Sequence, residues 1–182
     1  MNSGSSSFHT VIFDALCACL NLDGDSAEAL SLIHEAYAEP ENVPRPPRNR
    51  NVIYWTVLRD SSPDPAAAAY VPENGAGRHT HVVYTTLKYQ LIIVCYGPDS
   101  EMYALRIRSM LYLDGYGFPR QMLRSAGIFP VADPPQPAVL YEEEGSLWRK
   151  RADLTVSLRV RDEQRSRERG FIQTVPEVII RC

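Results

Sequence analysis

Lysine is scarce in this chain: Lys88 and Lys150 are the only two among 19 Lys and Arg residues, which leaves 17 arginines. Arginine presents a planar fork of donors that suits carboxylates and aromatic rings, and it is enriched at protein interfaces. A GC-rich coding sequence produces the same bias, and composition alone does not choose between the two. Long apolar runs are missing too. No stretch approaches the ~20 residues that a membrane-spanning helix needs. Residues 1–7 are polar and read as a flexible tail. They lack a basic segment followed by an apolar one, so no secretory signal and no membrane association are expected, and the chain is expected to stay in the cytoplasm where it is made. Net positive charge is also absent. The formal balance is −3 at pH 7, which argues against a globally basic nucleic-acid binder.

Cysteine is sparse and unpatterned. Cys17, Cys19, Cys95 and Cys182 form no CxxC pair. Buried thiols are therefore the default reading, with Cys182 a free thiol and no disulfide framework. Cys17 and Cys19 lie two apart in a predicted helix and so point to different sides. Nucleophile and nucleotide signatures are missing as well: there is no GxSxG, no GxxxxGK and no GxGxxG after a strand. Gly115-Tyr116-Gly117 is too short to cradle a phosphate. Cys95 lies within an apolar strand and reads as a core residue rather than an activated thiol. Neither catalysis nor a cofactor is expected on these grounds.

A length of 182 residues and an apolar fraction of 45% suit a single domain, residues 1–182, with a substantial core. Phe8, Ile12, Leu16 and Cys19 recur at helical spacing behind Ser7, a suitable N-cap. Residues 26–38 carry a second apolar stripe, Leu30, Ile33 and Tyr37, with Ser26 to cap it and Pro40 to stop it. A Pro- and Arg-rich extended connector follows over residues 39–50. Residues 51–59 read as a strand and residues 60–78 as a long loop, of a length that is usually functional or disordered. Residues 81–96 read as a longer strand, long enough to bend or to be two strands, whose later half is apolar throughout, as in a strand covered on both faces. Gly97-Pro98 ends it, Asp99 caps a helix over residues 100–113, and a short helix follows over residues 119–125.

The cleanest alternation lies further on. Trp148, Lys150, Ala152, Leu154, Val156, Leu158 and Val160 face one way, toward a core. Leu147, Arg149, Arg151, Asp153, Thr155, Ser157 and Arg159 face the other, toward water. Residues 161–169 read as the charged tip of a hairpin leading to a last strand over residues 171–180, where Pro176 implies an edge or a bulge. The pattern predicts an α+β fold: a mostly antiparallel sheet of about four main strands with helices packed on one face.

Few residues offer chemistry. His79 and His81, at i and i+2 in a strand, would present two imidazoles to one side and could begin a zinc site, but no third ligand accompanies them. A metal-dependent hydrolase built on His79, His81 and the acidic run Glu142, Glu143 and Glu144 is one reading. The bland alternatives are a polar strand end and a solvated turn. Arg161, Arg165, Arg167 and Arg169 are diluted by Asp162, Glu163 and Glu168, so their pull on DNA is weak. Pairing of Arg with acids between identical subunits suits them better.

The stretch Lys88-Tyr-Gln-Leu-Ile-Ile-Val-Cys-Tyr-Gly-Pro98, its following helix, Leu123-Arg-Ser-Ala-Gly-Ile-Phe-Pro130, and Tyr141 with Glu142 and Glu143 before a basic strand resemble the phage neck/tail terminator proteins. Pro46, Pro47 and Tyr54 fit the same family more loosely. The resemblance runs from about residue 8 to 160 and implies a structural virion protein of the neck, at the head-proximal end of the tail, assembled in the host cytoplasm. It implies a homo-oligomeric ring, usually a hexamer, that caps the tail tube and joins it to the head-tail connector or stopper protein. A sheath protein joins these partners if the tail is contractile, and DNA passes through the lumen as cargo. A head-tail adaptor or stopper is the neighbouring alternative. Ring contacts are expected at Arg78, His79, His81, Arg149, Arg151, Arg161, Arg165, Arg167 and Arg169.

Overall fold

A computed structural model describes residues 7–36, 49–60, 67–72, 79–112, 117–144 and 147–166, with backbone alone for residues 67–72, 79–84, 144 and 162–166. The elements in order are α1 (Phe8–Leu20), α2 (Ala27–Leu32), β1 (Ile33–Glu35), β2 (Val52–Arg59), β3 (Ala67–Pro72), β4 (His79–Tyr96), α3 (Ser100–Tyr112), α4 (Phe118–Ser125), β5 (Ile128–Pro130), β6 (Ala138–Glu144) and β7 (Leu147–Ser166). The strands form one sheet in the order β1-β2-β4-β7-β5, with β3 on β4 and β6 on β7. β1 runs parallel to β2, whereas β2 and β3 run antiparallel to β4, and β5 and β6 antiparallel to β7. This is the expected α+β fold with a mostly antiparallel sheet.

The chain divides into two compact units, residues 1–62 with 87–160, and residues 63–86 with 161–182. The first holds the core. Along β2 and β4, Ile53, Trp55, Leu91, Ile93 and Cys95 point to one face, and along β7 so do Ala152, Leu154, Val156 and Leu158. All are buried with Ile12, Leu16, Ala104, Ile107, Leu111 and Leu123 from the helices. The helices therefore lie on that face, as the apolar stripes require. In the second unit the described pairing sets Tyr70 opposite His81 and Pro72 opposite His79.

Local capping fixes the helix starts. The Ser7 hydroxyl accepts from the Thr10 amide at 3.2 Å, and the Ser26 hydroxyl accepts from the Ala29 amide at 3.1 Å while donating to the Asp23 carbonyl at 2.6 Å. Ser26→Ala is expected to destabilise the protein by about 1 kcal/mol, the usual worth of an N-cap, as read from chemical denaturation.

Several expectations are corrected. Four further strands join the three main ones, β2, β4 and β7. The fourth main strand expected, over residues 171–180, lies outside the described residues. The second helix stops at Leu32, because Ile33 to Glu35 pair with Ile53 to Trp55. Leu30, placed on its apolar stripe, is exposed, while Ala29 and Leu32 are buried. The long loop contains β3. Residues 161–166 continue β7 rather than turn, and within the described residues the hairpin partner of β7 is β6. Glu142, Glu143 and Glu144 are strand residues opposite Arg149, Trp148 and Leu147, not a turn. Asp99 turns its carboxylate to the Asn51 side-chain amide at 2.8 Å, and Asn51 in turn accepts from the Asp99 amide at 3.0 Å.

All three described thiols are buried. Both Cys17 and Cys19 are enclosed, because α1 packs against α3 and α4 as well as the sheet. Burial raises Cys17 to about 11, and Cys19 and Cys95 to about 12. Two consequences are expected. Iodoacetamide at pH 8 should leave all three unlabelled until the protein unfolds. Their protonated state favours the fold fully below the unfolded-chain value near 9, and stability should fall as pH rises from there toward 11–12.

Candidate functional site

Side chains of even number on β2 and β4, and of odd number on β7, point away from the helices. None of the four described helices packs on this face, the open face of the sheet, although Val52 and Arg149 on it are only 3% and 7% exposed. The sequence predicted cover on both sides of residues 91–96, yet Ile92, Val94 and Tyr96 are only half-buried. Tyr54 and Tyr96 meet edge to face at 6.1 Å, and His34 of β1 lies 5.8 Å from Tyr54. Arg149 sits over the Tyr96 ring at 4.5 Å, a cation–π contact worth roughly 0.5–2 kcal/mol. Arg151 lies 5.7 Å from the same ring and holds Asp153 through two bonds of 2.6 and 2.7 Å, with Glu142 at 3.6 Å. That carboxylate pair holds Arg151 more firmly in its charged form than usual. Burial pushes the Tyr54 and Tyr96 hydroxyls upward, opposed by Arg149 at Tyr54 and by Arg151 at Tyr96.

Arg149 stands out from this network. It was expected on a wet face but is 7% exposed, and its Nε and Nη2 have no hydrogen-bond partner. A buried donor left unmet costs on the order of 1–3 kcal/mol, more when charged. The same strand inverts its neighbour. Trp148, predicted in the core, is 67% exposed. The helix layer reaches only as far as Lys150, whose Nζ donates to Glu101 in the first turn of α3 at 2.9 Å.

The β6–β7 hairpin is the second feature. Val139, Leu140, Tyr141, Leu147 and Trp148 are all exposed large apolar side chains. Cross-strand register puts Val139, Tyr141, Glu143 and Trp148 on its helix-side face, and Leu140, Glu142 and Leu147 on the other. Within the described residues β6 pairs only with β7, and no other described strand lies along its outer edge. Open edges and clustered exposed apolar groups are the usual material of protein–protein contacts. Sequence reasoning missed this hairpin. The signal was Tyr141 and Trp148 flanking three glutamates, masked by the turn-like look of the acids.

The remaining expected residues are placed as follows. Arg161 lies exposed on β7. Arg78, Arg167 and Arg169 lie outside the described residues, as do the side chains of His79, His81 and Arg165. Among the described residues no group of three His, Cys, Asp or Glu side chains could hold a metal. A shallow cleft of about 280 Å³ between α1 and α4 is lined by Asp14, Asp23, Asp25, Phe118 and Met122, without such a grouping. No described helix is long and apolar enough to cross a membrane.

With helices on one side of the sheet, and aromatic, charged and exposed apolar side chains on the other side and on a hairpin, the described residues define an α+β fold. The chain belongs to the phage neck terminator protein family, which matches residues 11–181. That family is structural rather than enzymatic, and its members are components of the phage neck. Comparison with curated proteins finds no match.

Proposed function

We propose that this chain forms a closed homo-oligomeric ring at the head-proximal end of the tail, capping the tail tube and joining it to the head-tail connector or stopper. The observation that carries the reading is the β6–β7 hairpin, which has exposed apolar side chains and no further strand on β6 among the described residues, in a chain of the neck terminator family. The ring would be a hexamer, assembled in the host cytoplasm, with DNA as cargo through its lumen and a sheath protein as a further partner in a contractile tail. Its work is contact, without cofactor or catalysis. Arg78, His79, His81, Arg161, Arg165, Arg167 and Arg169 are proposed to meet neighbouring subunits or adjacent rings. Silencing the gene during infection should leave DNA-filled heads and unjoined tails side by side in electron micrographs. Normal, infectious particles from such an infection would refute the reading.

A further inference from the structure

The two features above are complementary. The helix-side face of the hairpin carries exposed Val139, Tyr141 and Trp148 around the carboxylate of Glu143. The open sheet face carries half-buried Ile92, Val94, Tyr54 and Tyr96 around a buried guanidinium with unmet donors, Arg149. One surface offers apolar groups and an acid; the other offers apolar groups and a base that lacks an acid. Glu142 cannot fill this role within the chain, because it is turned to Arg151 and to the Tyr96 hydroxyl.

We infer that the β6–β7 hairpin of one copy seats on the open sheet face of the next copy, with Glu143 meeting Arg149. The occupant is a second copy because the chain itself carries both halves, matched in charge and in apolar character. Arg149 then gains the charge-assisted partner that its burial demands, and Trp148 and Tyr141 leave water. Donor and acceptor surfaces differ, so the contact runs head to tail, and it builds a closed ring when the rotation between successive copies closes. The inference rests on the ring reading above and names the surfaces that would build it.

The test uses the full chain and mass photometry across a concentration series. The unaltered protein should form a closed species larger than a dimer. Trp148→Ser with Glu143→Arg disables the hairpin, and Arg149→Glu disables the face. Each should weaken self-association at least ~30-fold, as loss of an interface hot spot does. Mixing the two variants should give dimers that grow no further, because each supplies the half the other lacks. Combining Glu143→Arg with Arg149→Glu in one chain should restore larger species. Trp148 is exposed in the single chain, so under dissociating conditions the hairpin variant should melt as the parent does and remain informative if Arg149→Glu fails to fold. Unchanged assembly of the hairpin variant would overturn these surfaces and leave the ring reading standing. So would an Arg149→Glu protein that melts lower yet assembles normally, since that places the partner of Arg149 in its own chain. An unaltered protein that stays monomeric throughout would overturn both.

Discussion

Replacing Gly97 with alanine is expected to destabilise the first unit by about 3 kcal/mol or more, lowering the melting temperature by roughly 6–12 °C. Gly97 has φ of +110°, a conformation that side chains with a Cβ rarely adopt. A Cβ there would also come within 2.8 Å of the Arg50 carbonyl oxygen and of the Asn51 Cα, both backbone atoms that cannot swing aside. The close approach has a purpose. Gly97 donates to the Lys150 carbonyl at 3.2 Å and accepts from the Ser100 amide, also at 3.2 Å, while Asn51 and Asp99 bond each other across the turn. One residue thus ties β2, β4, β7 and the start of α3 together. A thermal melt followed by circular dichroism checks the figure, and a shift under about 2 °C would contradict this account of the turn.

Leu154→Ala is expected to cost about 2–5 kcal/mol, because Leu154 is fully buried in the helix-facing core and truncation leaves a cavity. Trp148→Ala, six positions earlier on the same face of the same strand, should change monomer stability by less than about 0.5 kcal/mol. The sequence alternation treats these two residues alike. Their difference comes from the extent of the helix layer, which Lys150 and Glu101 mark. Urea denaturation of the two variants under dissociating conditions measures both. Equal losses would mean that Trp148 packs in the core after all.

What could be read from the sequence is what depends on neighbours a few residues away. The stripe of Ile12, Leu16 and Cys19, the caps at Ser7 and Ser26, the β-rich run of β2, the Gly97-Pro98 stop and the alternation from Ala152 to Leu158 are local signals, and each lies where it was expected. What could not be read depends on distant partners. Ile33 to Glu35 become a strand only because Ile53 to Trp55 run beside them. The glutamates of β6 disfavour a strand by themselves, and pairing with β7 overrides that preference. The same holds for the candidate site. Arg149 looked like a wet-face arginine, and only the stacking on Tyr96, from a strand more than fifty positions away, reveals it as buried with donors to spare. The family likeness, by contrast, was legible in the order of short motifs from Lys88 to Pro130, which fold into the end of β4, then α3, α4 and β5.

Electron cryo-microscopy of the intact virion neck tests the central claim most directly. The account predicts a closed ring of this chain between the tail tube and the head connector, with density for the β6–β7 hairpin of each copy lying on the Tyr54, Tyr96 and Arg149 face of its neighbour. A neck that lacks this chain, or that holds it as isolated copies outside the ring stack, would contradict it.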